Sequence, residues 1–511
     1  VNRRNRRRST ARTNGAGRPT ANKVDYSALK NPLARQCSFS EDRVEAIHQT
    51  ALRVLQELGI RVLNEDAREC FRKAGTPVNQ DTGMVRIDRS LVEQAIESAP
   101  SEFALHGAVP KKDVALGGDN IAFVCVGGPP HISDLDRGKR NGTLEDTRNI
   151  IKLSEHFDVI HLQSPNVEPQ DTPLNTRHLH TIESQVALSR KPPFIFSRGT
   201  GQVHDCFEMM RLARGLTDDE FQSKAWCYTV INTNSPRQLD VPMCQGIIDF
   251  AKAGQVSVIT PFTLAGAMAP VTIPGALVLQ HAEALAGITL AQVVRPGAPV
   301  VYGSFTSNVD MKSGAPAFGT PEFVQAAFGA GQLARHIKLP WRGSAATASN
   351  APDEQSVYEY AMSAWGSILG GVNMMIHAAG WLEGGLTASM EKYILDIELL
   401  QNFAQIFRPL ECGEAELAFE AIASVDPGGH FFGCEHTMAR YKTAFYEPFV
   451  SDWSNFGTWS ENGSKTATQR ANEIWKRILR DFEPPPMDEA VAEALRDFIQ
   501  RRTSQGGAPP S

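Results

Sequence analysis

The sequence predicts an α/β protein: a TIM (β/α)8 barrel with a small α+β extension before it and an aromatic, helical extension after it. Two observations carry that prediction. Eight short, apolar, β-rich runs recur, at 121–126, 159–163, 194–197, 226–231, 256–260, 299–303, 339–343 and 372–376. Helix-length segments separate them, with cores at 144–156, 176–189, 204–214, 241–253, 276–293, 321–336 and 353–369, and a long amphipathic helix over 386–407 follows the last. Strands that are apolar throughout belong to a parallel sheet covered on both faces. Eight such βα units in about 290 residues suit a closed barrel better than an open sheet.

The elements follow in order. Residues 1–24 hold eight Lys or Arg and no acid among many Ser, Thr, Asn and Gly, a composition that predicts a disordered basic tail. An arm for nucleic acid or an anionic surface is the alternative reading of that tail. Residues 25–119 form the α+β extension. A helix over 40–58, capped by Ser40, places Val44, Ile47, Leu52, Leu55 and Leu58 on one face. Gly59 stops it ahead of a strand at 60–62. A helix over 64–74, a strand at 84–87, a helix at 89–98 and a hairpin over 103–116 turning at Pro110-Lys111 complete this part. The barrel occupies 120–407. An extension over 408–502, rich in Phe, Tyr and Trp, is expected to pack on it, and 503–511 is expected to fray.

Composition narrows the function. A net charge of −6 argues against a general nucleic-acid binder, because phosphate contacts need a basic face. The eight cysteines are scattered without a CxxC pair, which predicts reduced thiols and a cytoplasmic protein. The first residues lack the apolar core of a signal peptide. Between Lys252 and Glu283 the one titratable residue is His281, yet Pro261, Pro270 and Pro274 break the stretch. It reads as buried interior and not as a membrane span.

In such a barrel, function sits at the C-terminal ends of the strands. Those ends are Gly127-Gly128-Pro129, Gln163 with Asn166, Arg198, Asn232 with Asn234, Phe262, Tyr302 with Phe305, Ser344 with Thr347, and His377 with Trp381 and Glu383. Taken alone, His377 reads as a core histidine and Trp381 as a packing plug. The seven other strand ends change the weight of both. The set is rich in amides and aromatics and contains no Ser-His-Asp arrangement; Glu383 is its one carboxylate, where a glycosidase needs two. Aromatic faces suit a quaternary ammonium group, which has no N–H to donate. Tyr228, Phe262, Tyr302, Phe305 and Trp381 are the candidate cage, and alternation along the strands turns some of them outward. Glu383 would balance the cation. His377, Asn232 and Arg198 would hold a carboxylate at the ligand's other end, with Gln163 a weaker candidate. His430, Cys434 and His436, with Cys412 or Glu435 as a fourth ligand, offer zinc as an alternative, but their spacing matches no zinc signature and no metal is expected.

Four separated stretches, GIRVLNEDA, GKRNGTLEDTRNIIKL, HAAGWLEGGLTASMEKYILDIEL and GGHFFGCEHTMARYKTAFYEP, resemble the trimethylamine methyltransferase superfamily in the right order. The resemblance runs from about residue 38 to 482. It implies a TIM barrel that moves a methyl group from a methylated amine to the cobalt of a separate corrinoid protein. Members that demethylate trimethylamine carry pyrrolysine in the loop after the seventh strand; here 342–356 reads RGSAATASNAPDEQS. The chain therefore resembles the branch without pyrrolysine, which is similar to glycine betaine methyltransferase and acts on quaternary amines. By this resemblance His377 and Asn232 are the first choices for substrate binding. Tetrahydrofolate as acceptor and a non-catalytic betaine-binding barrel stand as alternatives. A homo-oligomer is expected, with the aromatic C-terminal segment as its contact.

Overall fold

The structure is a computed structural model that describes residues 25–510. The basic segment 1–24 and Ser511 lie outside the described residues. Six strands form one parallel sheet in the order Asn120–Phe123, Met374–Ile376, Trp341–Ser344, Val300–Gly303, Val256–Ile259, Tyr228–Ile231, and Leu29–Lys30 pairs antiparallel at its edge. These runs are largely apolar because both faces are covered. Ala122, Val124, Tyr228, Val256, Val258, Val301, Met374 and Ile376 join one buried cluster. Their neighbours along the strands, among them Ile121, Phe123, Ile231, Ile259, Val300, Tyr302 and Trp341, join a second cluster with the helices.

The chain is thus α/β, but a continuous eight-stranded ladder is not formed. The runs at 159–163 and 194–197 are held by single bridges, Val124 to Leu162 and Phe194 to Tyr228. Backbone bonds support them: His161 N–H to Phe123 O at 2.9 Å, Gln163 N–H to Pro192 O at 3.0 Å and Ile195 N–H to Tyr228 O at 3.0 Å. Pro165, Pro192 and Pro193 flank these runs and supply no amide donors, which keeps the pairing short.

The helices at Leu144–His156, Val241–Ala253 and Pro321–His336 have the expected bounds. Thr143 and Asp146 form a reciprocal capping box at the first, and Asp240 and Thr320 cap the other two through their side chains. Three expectations are corrected. Ser40 stands at the N-terminus of Glu41–Arg53 without a side-chain cap, its hydroxyl being taken by Asp42. The helix expected from 204 starts at Thr200. The helix expected over 386–407 is Met390–Ile406, because Thr387–Ser389 is a strand between Trp381–Leu382 and His131–Asp134. Ile273–Val294, the one helix among the described residues long and apolar enough to cross a membrane, is buried between the sheet and other helices.

Residues 26–408 and 448–510 make one compact unit, and 409–447 belongs to another. The 409–447 segment contains the short helices Glu414–Leu417, Phe419–Ala423 and Glu435–Arg440 and exposes Phe419, Phe432 and Phe445. By contrast Ala467–Arg480 buries Ala471, Ile474, Trp475 and Ile478 within the larger unit. Near the C-terminus, Arg502 and Ala508 bond to the rest of the larger unit. Ala508 N–H donates to Asn175 O at 2.8 Å, Gln202 Nε2 donates to Ala508 O at 2.9 Å, and Arg502 grips Asp205 at 2.7 and 3.0 Å.

Of the five buried histidines among the described residues, four are held neutral. Burial brings His48 and His161 down to about 4 and puts His281 and His377 well below the ordinary imidazole range. An unfolded chain protonates these rings near pH 6.5 and the folded chain does not. Their stabilisation is therefore complete above pH 6.5 and falls by up to ~1.4 kcal/mol per ring per pH unit as the pH drops toward 4. Asp396, pushed up to about 6 by burial, and Glu283, also raised by burial, act in the opposite sense below pH 6. Four groups outweigh two. Urea-unfolding midpoints are expected to fall from pH 6.5 to 4.5, and a flat profile would contradict the buried neutral state of these rings.

Candidate active site

His377 follows the strand Met374–Ile376 directly and sits with a left-handed φ of 62°. Such a backbone costs ~1–3 kcal/mol in a residue other than glycine and persists where its surroundings fix it. Here Ser344 fixes it: its hydroxyl lies 2.7 Å from His377 Nδ1 at the end of the adjacent strand. The turn beyond is pinned by Tyr360, whose hydroxyl donates to Ala378 O at 2.5 Å, and by Asp396, which accepts Gly380 N–H at 2.9 Å. Trp381 packs on the imidazole with ring centroids 3.7 Å apart, and Thr347 donates to its carbonyl at 2.7 Å. Gly385 makes room for the indole, since a Cβ there would come within 2.5 Å of it.

Phe305 joins the two strand ends. Its ring lies 5.1 Å from His377, 6.3 Å from Trp381 and 4.9 Å from Phe262, and Phe318 stacks on it at 5.2 Å. The guanidinium of Arg342 lies 5.0 Å from the same ring. His377 is neutral, first because it is buried and second because Arg342 is near. No carboxylate contributes to the shift of either His377 or Arg342. Among the described residues the arrangement is an aromatic, partly buried surface beside a neutral imidazole, with one buried cation and no acid paired to it.

The structure brings together His377, Trp381, Phe305 and Phe262 and separates the other sequence candidates from them. Tyr302 faces the helices, where its hydroxyl lies 2.8 Å from His281 Nδ1 and 3.1 Å from Gln280 Oε1. Tyr228 is enclosed by the sheet, its hydroxyl donating to Gln163 O at 2.6 Å, and its neighbour toward the site is Arg342. The Gln163 side chain turns to Ser189 at 2.8 Å. Arg198 is neutralised by Glu168 at 2.6 and 3.1 Å and lies over Phe196. Glu383 is bound by Lys139 at 2.5 Å and Thr387 at 2.5 Å, so it does not balance a cation beside His377. Asn232 is exposed just past Ile231. Among the described residues no three His, Cys, Asp or Glu side chains converge on a metal position, so His430, Cys434 and His436 do not assemble with Cys412 or Glu435.

The trimethylamine methyltransferase (MTTB) family matches residues 3–507 of this chain. The chain belongs to that family. It is 36% identical over 471 residues to the glycine betaine methyltransferase of Desulfitobacterium hafniense (strain Y51), covering 92% of this chain and 98% of the relative. It is 31% identical over 475 residues to trimethylamine methyltransferase MttB of Desulfitobacterium hafniense (strain DSM 10664 / DCB-2), covering 93% and 95%. Among solved structures it is similar to the Methanosarcina barkeri monomethylamine methyltransferase (MtmB), with a TM-score of 0.46 and 9% identity over 89% of this chain and 97% of that one.

In this member of the trimethylamine methyltransferase family, two residues at the site escaped sequence reasoning. Phe318 lies in an irregular segment between Pro316–Ala317 and Pro321–His336, where no periodicity marks it. Arg342 stands inside an apolar run, and a lone charge in such a run was the available signal.

Proposed function

We propose that this methyltransferase demethylates glycine betaine or a similar quaternary amine carrying a carboxylate, and that its methyl acceptor is the cobalt(I) of a corrinoid held by a separate protein. One observation carries the reading: Phe305 and Trp381 pack against a neutral His377, Phe262 packs on Phe305, and among the described residues no acid pairs with the group. Ring faces bind a quaternary ammonium well in a site that excludes water. A neutral imidazole adds no repulsion. Ordinary residues at 342–356, in place of the family's pyrrolysine, fit a substrate whose nitrogen is already charged and needs no activation.

Cobalt(I) supplies the electron pair of the new bond to carbon, while the C–N pair stays on nitrogen and the amine leaves neutral. The chain's part is to hold the ammonium, orient one methyl group outward and exclude water. We further read the eight βα segments as one closed barrel, with single bridges completing the ring at 159–163 and 194–197. The eight free cysteines support a reducing, cytoplasmic setting.

The test follows methyl transfer to chemically reduced free cobalamin by absorbance, with glycine betaine, proline betaine, carnitine, choline and trimethylamine. Transfer from a betaine and none from trimethylamine is the expected result. Silence across the panel would overturn the assigned acceptor, and betaine binding in that silence would direct attention to tetrahydrofolate or to a binding protein.

A further inference from the structure

Arg342 is the second residue of the strand Trp341–Ser344 and is 2% exposed. Alternation puts its side chain on the same face of the sheet as Ser344, the residue that holds His377. Nη1 donates to Ser304 O at 2.9 Å, and the guanidinium packs over Phe305. Its Nε–H has no partner, and no acid lies within 4.0 Å of it, among the described residues. Arg198, by comparison, has Glu168. Burial lowers Arg342 to about 9, so it remains a cation at neutral pH.

An enclosed guanidinium with a free N–H and no counter-charge is costly to maintain, and a buried charge is normally paired. We propose that Arg342 receives the carboxylate of the substrate and so restricts the site to zwitterionic quaternary amines. This rests on the quaternary-amine reading above and deepens it. The planar fork of arginine matches the two oxygens of a carboxylate. Arg342 and Ser344 are two residues apart along the strand, about 6.6 Å. Phe305 bridges Arg342 and His377, its ring 5.0 Å from the Arg342 guanidinium and 5.1 Å from the His377 ring, so a betaine whose carboxylate meets Arg342 sets its ammonium toward Phe305 and His377. Its methyl groups then face the end of the strands, where an acceptor protein can reach them.

The charge balance gives the specificity. Among the described residues the site holds one positive charge and no acid paired with it. A betaine brings a negative group to Arg342 and a positive one to the aromatic rings, and the total stays constant. Choline or tetramethylammonium brings a second positive charge with nothing to offset it. A trimethylammonium ion does the same.

Calorimetry on the full chain, with glycine betaine, choline and tetramethylammonium as titrants, tests this in wild type, Arg342→Gln and Arg342→Lys. Wild type is expected to bind glycine betaine about 100-fold more tightly than choline. Arg342→Gln is expected to lose about 100-fold for betaine while choline is unchanged or improved, and Arg342→Lys to recover part of the loss. Arg342→Gln that keeps betaine affinity within about threefold overturns the proposal. Should Arg342→Gln fail to fold, the wild-type comparison decides: equal affinity for betaine and choline overturns it. Equal methyl transfer from betaine and tetramethylammonium would leave the quaternary-amine reading intact and remove Arg342's role. Wild type that binds none of the three titrants would overturn the quaternary-amine reading itself and Arg342's role with it.

Discussion

Asp396→Ala is expected to destabilise the fold by about 3–5 kcal/mol and to lower methyl transfer in the protein that remains folded. Asp396 and Lys392 form a buried ion pair one helical turn apart. Burial pushes Asp396 up and Lys392 down, and each is kept charged by the other. Removing the carboxylate strands the ammonium over the ring of Tyr360 and leaves Gly380 N–H without its acceptor. Tyr360 and Gly380 fix the turn that carries His377, so stability and site geometry fail together. Urea-unfolding midpoints measure the first effect, and transfer rates at a temperature where the variant is folded measure the second. Lys392→Met combined with Asp396→Leu should cost less than Asp396→Ala alone, because it removes both charges. A double variant less stable than the single one would refute the stranded-charge account.

That helix shows why a sequence pattern can be correct and its meaning hidden. The stretch 386–407 reads as one long amphipathic helix, with Glu391 and Glu398 among its acids. In the fold those acids are buried acceptors. Glu391 takes Trp475 Nε1 at 3.0 Å and Asn472 Nδ2 at 2.8 Å, and Glu398 takes the amides of Phe449, Val450 and Ser451 at 2.8, 2.6 and 3.0 Å. Those partners lie 51 to 84 residues away, and Leu135, whose N–H also donates to Glu391, lies 256 away, beyond the reach of local periodicity. The helix start was misplaced for the same reason, since the strand Thr387–Ser389 pairs with His131–Asp134 far earlier in the chain.

The strand ends were legible because apolar runs reveal where strands stop, and His377, Trp381, Phe262 and Phe305 all lie there. Which face a side chain takes was not legible. A strand covered on both sides shows no polar alternation, so Val300–Gly303 gave no sign that Tyr302 turns toward the helices. Arg198 and Glu383 were found as charges at strand ends, but their partners Glu168 and Lys139 come from other segments. Charge pairing is a tertiary property, and it pairs Arg198 with Glu168 and leaves Arg342 without an acid within 4.0 Å among the described residues.

Trp381→Ala is expected to raise the KM for the quaternary amine about 30-fold, the equivalent of ~2 kcal/mol from a desolvated cation–π contact. The direction of the kinetic split follows from the chemistry. The nitrogen carries a full positive charge in the bound substrate and loses it as the methyl group departs. The indole therefore holds the ground state at least as strongly as the transition state, and its loss appears in KM while kcat stays within about threefold. Trp381→Phe retains a ring face and should recover most of the binding. Tyr302→Phe, which removes a hydroxyl on the helix side, should leave KM unchanged. The indole also fills space beside His377 and Gly385, so the alanine variant must be assayed well below its melting temperature. A Trp381→Ala enzyme with unchanged KM and a collapsed kcat would show that the ring orients His377 and does not hold the cation.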